Sequence, residues 1–350
     1  MSAPARTSDP KAEAGRAIAR PRGPLARAWA RGAAELQFWS NIFYDARRFR
    51  KHAWMRTVRT EESRSARIMA DAHFLEYGMA LRTARPGFGL ARAERLAGDL
   101  LDGGAQPAAC EIGLRVLEAW AAFNAQATVP AAVSDALQRV RIPMGALSGG
   151  VETVTRKAIQ ADAQVDFARF VKARHSIRAF APGPVGEDVI ARAVAAAQQA
   201  PSSCNRQTCH AHVWTDPAMI EAVRKHQAGN RTFGHELAGI AVITSDLRHW
   251  EHAGERYQAW VDGGLFAMTL AYALHAEGLG ACMLNWSVTR EVDSGLRRTI
   301  GLGDEHLIIV LMGFGRLPES LSVCRSQRQP VETALSLNPP LARQYGVRSD

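Results

Sequence analysis

Ala173-Arg174-His175-Ser176-Ile177-Arg178-Ala179-Phe180, answered further on by Ala200-Pro201-Ser202-Ser203-Cys204-Asn205-Arg206-Gln207, sets fixed cations, hydroxyls and a side-chain amide on two turns. Between them residues 187–199 read as a helix, with acidic residues in the first turn and Pro201 as the stop. Arg174, Ser176 and Arg178 fall where a helix over 165–174 gives way to extended chain. Two guanidiniums and a hydroxyl so placed can clamp a phosphate through charge-assisted hydrogen bonds. Taken singly, the first stretch is as easily a solvated helix end and the second an ordinary polar loop.

Downstream the chain alternates. The pattern predicts strands over 210–215, 238–244, 281–284 and 307–312, and helices over 217–226, 255–277 and 289–300. Helices alternating with short buried strands imply a layered α/β or α+β domain. After the last strand, Gly313-Phe314-Gly315-Arg316 reads as a turn whose glycines let the backbone approach a ligand. Arg325 and Arg328 would then complete an anion cradle.

Upstream the character changes. Residues 1–24 are rich in Ala, Arg, Pro and Ser without apolar period, which predicts a disordered arm. Asp9 and Glu13 argue against a transit peptide, and no apolar core follows Met1, so no secretory signal is expected. Leu25, Trp29, Ala33, Leu36, Trp39 and Phe43 recur at helical spacing among Arg27, Arg31, Arg47 and Arg48. Residues 25–46 therefore form a basic amphipathic helix, suited to weak contact with an anionic membrane surface or, more commonly, to packing its aromatic stripe on the rest of the protein. Residues 61–127 stay helical, with breaks at 85–89 and 102–104, and 130–150 read as a loose Pro/Gly connector. The organisation is a basic arm (1–24), a helical extension (25–164), a chemistry-bearing domain (165–335) and a tail (336–350).

Composition narrows the function classes. With 47% hydrophobic and 22% charged residues, this is a soluble globular composition, and no apolar run approaches the roughly 18 residues that span a bilayer. The formal charge of +9 resides in residues 1–60, which hold 13 Lys/Arg against 4 Asp/Glu. The chemistry-bearing domain is near neutral, so no nucleic-acid partner is expected. Five scattered cysteines point to a reducing, cytoplasmic compartment. Cys204, Cys209, His210 and His212 lie close together but without a second ligand pair, so no metal is expected.

Five ordered motifs carry a resemblance. Arg-His-Ser-Ile-Arg-x-Phe at 174–180, Ala-Pro-Ser-Ser-x-Asn-x-Gln at 200–207, Asp262-Gly263-Gly264, Gly278-Leu279-Gly280-x-Cys282 and Leu311-Met312-Gly313-Phe314-Gly315 together resemble the FMN-dependent nitroreductase family over residues 165–335. The resemblance implies an α+β three-layer sandwich, a homodimer with FMN at its interface, and NADH or NADPH as electron donor. By that likeness Arg174, His175, Ser176 and Arg178 hold the flavin phosphate and ribityl chain. Pro201, Ser202, Ser203 and Asn205 reach the flavin of the partner chain. Leu284, Asn285 and Trp286 lie beside the ring, Asn230 contacts its pyrimidine edge, and Gly313, Gly315, Arg325 and Arg328 surround the phosphate. Two departures stand out: Gln207-Thr208-Cys209 replaces the family's Gln-Pro-Trp, and Trp286 either narrows the space at the ring or is a core tryptophan.

The implied activity is ping-pong transfer of hydride from NAD(P)H, by way of FMN, to a nitro, quinone or other electron-poor small-molecule acceptor. The flavin carries that chemistry, so no protein nucleophile is required and no catalytic side chain is expected. Residues 71–89, with His73-Phe74-Leu75-Glu76-Tyr77-Gly78-Met79 and Arg85-Pro86-Gly87-Phe88-Gly89, resemble a helical extension of some bacterial nitroreductase-like proteins associated with surface-polysaccharide gene clusters. That likeness suggests one alternative, a flavin-dependent tailoring enzyme of surface-polysaccharide or nucleotide-sugar biosynthesis; the basic aromatic helix at 25–46 suggests another, a non-catalytic flavin-binding or membrane-associated accessory protein.

Overall fold

The computed structural model describes residues 24–339 apart from residues 56, 59, 128 and 144. The expected arm therefore lies outside the described residues except for Pro24, as does the tail beyond residue 339. Helix α1 (Pro24–His52) leads into a helical unit of α2 (Glu61–Ala80), α3 (Leu90–Asp102), α4 (Pro107–Phe123) and α5 (Ala131–Arg139). Thr60 and Ser63 cap α2 reciprocally, Ser63 N donating to Thr60 Oγ1 and Thr60 N to Ser63 Oγ, and Glu61 and Glu62 favour the positive end of the helix dipole. Chain reversal before α3 uses left-handed backbone at Gly87 and Gly89, where a Cβ would be strained. Ile68, Leu75, Leu96, Leu117 and Trp120 are fully buried in one cluster confined to this unit. Asp71, also fully buried, is held by Arg92 and Arg95.

After two short helices, α6 (Arg156–Asp162) and α7 (Phe167–Ala173), come α8 (Glu187–Ala197), β1 (Cys209–Trp214), α9 (Pro217–Arg224), β2 (Gly239–Asp246), α10 (Gln258–Ala276), β3 (Leu279–Asn285), α11 (Arg290–Ile300) and β4 (His306–Arg316). The four strands form one antiparallel sheet in the order β1-β2-β4-β3. Alternation sorts their side chains to two faces. Ala241, Ile243, Met312 and Phe314 pack with Ala193, Ala197, Phe266, Leu270 and Leu274 of α8 and α10. Ile240, Val242, Leu284, Ile308 and Leu311 pack with Ile220, Val223 and Leu296 of α9 and α11. The result is an α+β domain of helix, sheet and helix layers, preceded by a helical region. A bulge shifts the register so that Ile243 faces Val310 while Thr244 faces Ile308. Ile309, the extra residue, presses its side chain to where a Cβ of Gly263 would stand, 2.6 Å away. Gly263 is thus the point at which α10 settles onto the sheet.

Four expectations are corrected here. The connector folds α5 within its Pro/Gly-rich run, with Val133 and Ala136 buried against the helical unit, and α6 follows it. The 313–316 segment is not a turn but the end of β4, paired to β2 and β3. Gly313 and Gly315 lack side chains because Leu237 and Phe180 occupy those places, 2.7 and 2.9 Å from where each Cβ would stand, so packing accounts for both. The aromatic stripe of α1 does not pack on the chain: Leu25, Trp29, Leu36, Trp39 and Phe43 stay exposed.

Among the described residues, the hydrogen bonds that dock α1 lie at its far end. Asn41 Oδ1 accepts from Arg290 N, Tyr44 OH donates to Asp293, and Arg48 donates to the Asp304 and His306 carbonyls.

Candidate anion-binding groove

α7 delivers Arg174 to the edge of the sheet. Ser176 bridges Ala281 of β3, Ile177 N donates to the Ala281 carbonyl at 3.0 Å, and Ala181 N donates to the Arg316 carbonyl at 2.9 Å. Glu236 fixes the next turn by accepting from Phe180 N at 2.8 Å. Ile177 lies 2.9 Å from where a Cβ on Gly280 would stand, which explains the Gly-Leu-Gly motif: the glycine admits the incoming segment. With Ile177 turned inward, Ser176 and Arg178 border an open groove.

That groove has a volume of about 700 Å³ and brings together Lys172, Arg174, His175, Ser176 and Arg178 with Arg325 and Arg328, beside Met268 and Tyr272 of α10. No carboxylate among the described residues lines it. Among the described residues, none of these four arginines is ion-paired. Arg178 donates only to the Ser176 carbonyl and Cys324 Sγ, and Arg328 to the Ser326 carbonyl. The cations therefore retain their charge for an outside anion. An adjoining apolar pocket of about 210 Å³ shares Arg174 and His175 and is lined by Ile177, His275, Met283 and Leu321. Burial first, then the neighbouring Arg174, depress the His275 pKa below the usual imidazole value.

The second turn is built separately. Asp262 Oδ2 accepts from Ser203 N at 2.9 Å while Gln258 holds its other oxygen, which gives the Asp262 position its purpose. Ser202 Oγ accepts from Gln207 N. Cys204, Asn205 and Gln207 all take positive φ, while the buried Arg206 points inward onto Glu255. Pro201, Ser202, Gln207, Asp262 and Phe266 line a pocket of about 130 Å³. It shares no residue with the basic groove. Asp262 and Tyr272 are ten residues apart on α10, about 15 Å along its axis. Within one chain the two turns serve different places.

Other expected ring neighbours are placed elsewhere. Trp286 is buried, its Nε1 donating to Asp293 Oδ1 at 2.9 Å, so it is a core tryptophan. Leu284 faces the α9–α11 core, and it is Met283, the next residue on the opposite face, that reaches the apolar pocket. Asn230 is buried and ties its own loop together through Arg224 and Gln227. Asn285 is exposed at the end of β3 and its carbonyl accepts from Gln227. Lys172, Tyr272, Met283 and Cys324 border the site without having stood out in the sequence. Strict alternation along β3 would have found Met283, and a cation half a turn before Arg174 would have found Lys172.

The layered α+β domain thus carries a basic groove at a sheet edge whose arginines have no ion-pair partner among the described residues. Residues 171–234 match the model of the Nitroreductase family. The 4-nitrobenzoate reductase of Pseudomonas putida is 25% identical over 213 residues, covering 48% of this chain and 92% of that protein. Among solved structures, an FMN-dependent nitroreductase from Clostridium difficile aligns at 20% identity, covering 49% of this chain and 98% of its own, with a TM-score of 0.42. A nitroreductase family protein from Streptococcus pneumoniae aligns at 18% identity, covering 49% and 100%, with a TM-score of 0.43. The family match thus falls on the span that holds Arg174–Arg178 and the 201–207 turn.

Proposed function

We propose that this protein is an FMN-dependent oxidoreductase that takes hydride from NADH or NADPH in a ping-pong cycle and reduces a nitro, quinone or other electron-poor acceptor. The observation that carries it is the groove in which Arg174, Arg178, Arg325 and Arg328 stand without carboxylate partners around Ser176. A flavin mononucleotide phosphate fits that donor set. Arginine forks and a hydroxyl suit a dianion, and a carboxylate-free lining leaves nothing to repel it. FMN held there would supply hydride chemistry that no side chain of this chain can perform.

The protein's own contribution is position and field. Arg174, His175, Ser176 and Arg178 would anchor the phosphate and ribityl chain. Met283 and Ala281 would wall the adjoining apolar space, and His275, held neutral near pH 7, adds no charge to it. Pro201, Ser202, Ser203 and Asn205 would complete the site of a second chain in a homodimer. Tyr257, Trp260, Val261 and Leu265 leave an exposed apolar stripe along α10 that supports such pairing. The five free cysteines favour a reducing, cytoplasmic setting.

The test is anaerobic. The purified protein should retain a flavin chromophore that NADH or NADPH bleaches and a panel of acceptors restores. Arg174→Ala combined with Ser176→Ala should lose flavin while circular dichroism stays unchanged. Flavin content equal to wild type in that double variant would overturn the phosphate assignment, and retained flavin bleached by neither nucleotide would overturn the oxidoreductase.

A further inference from the structure

From Pro24 to Trp39, every described side chain of α1 except that of Ala30 is exposed. Sixteen residues make about 24 Å of helix, and among the described residues only Ala30 is partly covered. The following turns carry a dense apolar patch: Leu36, Phe38, Trp39, Ile42 and Phe43 are all exposed. At 100° per residue, Leu36, Phe38, Trp39, Ile42 and Phe43 fall within one sector about 160° wide. The docking side, Asn41, Tyr44 and Arg48, lies in the remaining arc.

We propose that this patch of α1 is an arm that clasps a second copy of this chain, resting on the homodimer inferred above. A helix lying on an anionic lipid surface needs its apolar residues on one face and cations on the other. Here no Lys or Arg occurs between Arg31 and Arg47, while Glu35 and Asp45 bracket the patch. Charge complementarity to lipid is lacking where the apolar residues are. A broad apolar face without flanking cations suits a protein groove instead.

Continuity points the same way. Asn41, Tyr44, Asp45 and Arg48 of α1 line one small cavity together with Trp260 of α10, the residue at the centre of the exposed α10 stripe. The docked side of α1 thus adjoins the surface assigned to dimer contact, and the apolar patch flanks that side. With aromatic side chains offering about 150–250 Å² each, the two patches together expose on the order of 800 Å², the area a stable dimer buries on each partner. The arm accordingly adds a second contact outside the sandwich and ties the N-terminal region of one subunit to the body of the other.

The test compares full-length wild type with Trp39→Glu/Phe43→Glu by sedimentation velocity across a concentration series. Both side chains are exposed in the single chain, so circular dichroism should be unchanged. The proposal expects a wild-type dimer whose dissociation constant rises about 100-fold or more in the variant, the effect of removing two aromatic anchors. A wild-type dimer with an unaltered constant in the variant overturns the arm and leaves the homodimer intact. A wild-type monomer overturns both. Flotation with phosphatidylserine vesicles that is lost in the variant, with dimerisation unaltered, assigns the patch to membrane and also overturns the arm.

Discussion

Asp293→Asn tests how α1 is held to the domain. Asp293 Oδ1 accepts from Trp286 Nε1 at 2.9 Å, and Oδ2 from Tyr44 OH at 2.7 Å and Arg297 Nε at 2.6 Å. Arg48 stands 4.0 Å away, its side chain 4% exposed. Burial opposes ionisation, yet Arg297, Trp286 and Tyr44 outweigh it and hold the carboxyl below its ordinary range. Asparagine keeps an acceptor for Trp286 but leaves the buried guanidinium of Arg297 without its counter-charge. Breaking one partner of a buried pair costs about 3–5 kcal/mol. Asp45, 3.8 Å from Arg48, still serves that arginine, so the lower end, about 3 kcal/mol, is expected. With a urea slope of about 3 kcal/mol/M for a domain of this size, the midpoint should fall by about 1 M. Trypsin should also cut faster at Arg47, Arg50 and Lys51 as the docked end loosens. Because the folded pKa is depressed, the stabilisation is fully present above about pH 4 and drains as pH falls through the folded value. The gap between variant and wild type should therefore narrow in acid. A loss under about 1 kcal/mol at pH 7 with an unaltered tryptic pattern would refute this account.

Other outcomes follow from the same geometry. Gly280→Val should cost about 1–3 kcal/mol and lower flavin retention, because its side chain would displace Ile177 and Leu317, which lie 2.9 and 3.0 Å from a Cβ there; normal retention at normal stability would disprove the role of Gly280 in seating Arg174–Arg178. Trp286→Phe should destabilise by about 1 kcal/mol through the lost bond to Asp293 and leave the visible spectrum of bound flavin unchanged; a shifted spectrum would place the indole at the ring. His249 is buried and His212 half-buried, and desolvation chiefly depresses both pKa values to about 4. Their stabilisation is fully present above about pH 6.5 and is lost as pH falls toward 4, by up to about 1 kcal/mol per pH unit each. His249→Phe should flatten that slope in urea titrations between pH 7 and 4.5, and an unaltered slope would show that the imidazole is not the titrating group.

Much of the architecture was legible because local and tertiary preferences agree. The helix breaks at Gly87, Gly89 and Gly103 are set by backbone conformation, and the strands by runs of apolar, mostly β-branched residues such as those of 240–243. The basic groove was legible because fixed charges on successive turns have few other uses. Failures came where tertiary contact decides. Gly313 and Gly315 look alike whether a ligand or Leu237 and Phe180 fills the space above them. Trp286 and Asn230 are polar-tipped residues whose partners, Asp293 and the 224–227 carbonyls, are named only by the folded chain. Period alone could not say that the α1 stripe faces away from its own subunit. In β3, the choice between Leu284 and Met283 needed the sheet's orientation, since a one-residue step reverses every side chain.

The strand order has a consequence for synthesis on the ribosome. β1 and β2 can pair as soon as both have emerged, but among the described strands β3 pairs only with β4, which is made after it and lies between it and β2. Residues 176–177, translated long before, lean on Ala281 of β3, and Ala181 on Arg316 of β4, so this segment is fully seated only once β4 is in place. The helical unit, with its self-contained core, can fold early, as N-terminal units generally do. A nascent chain would thus carry a finished helical unit and an open sheet, and its anion groove would come into being only when β4 slides between two strands already made.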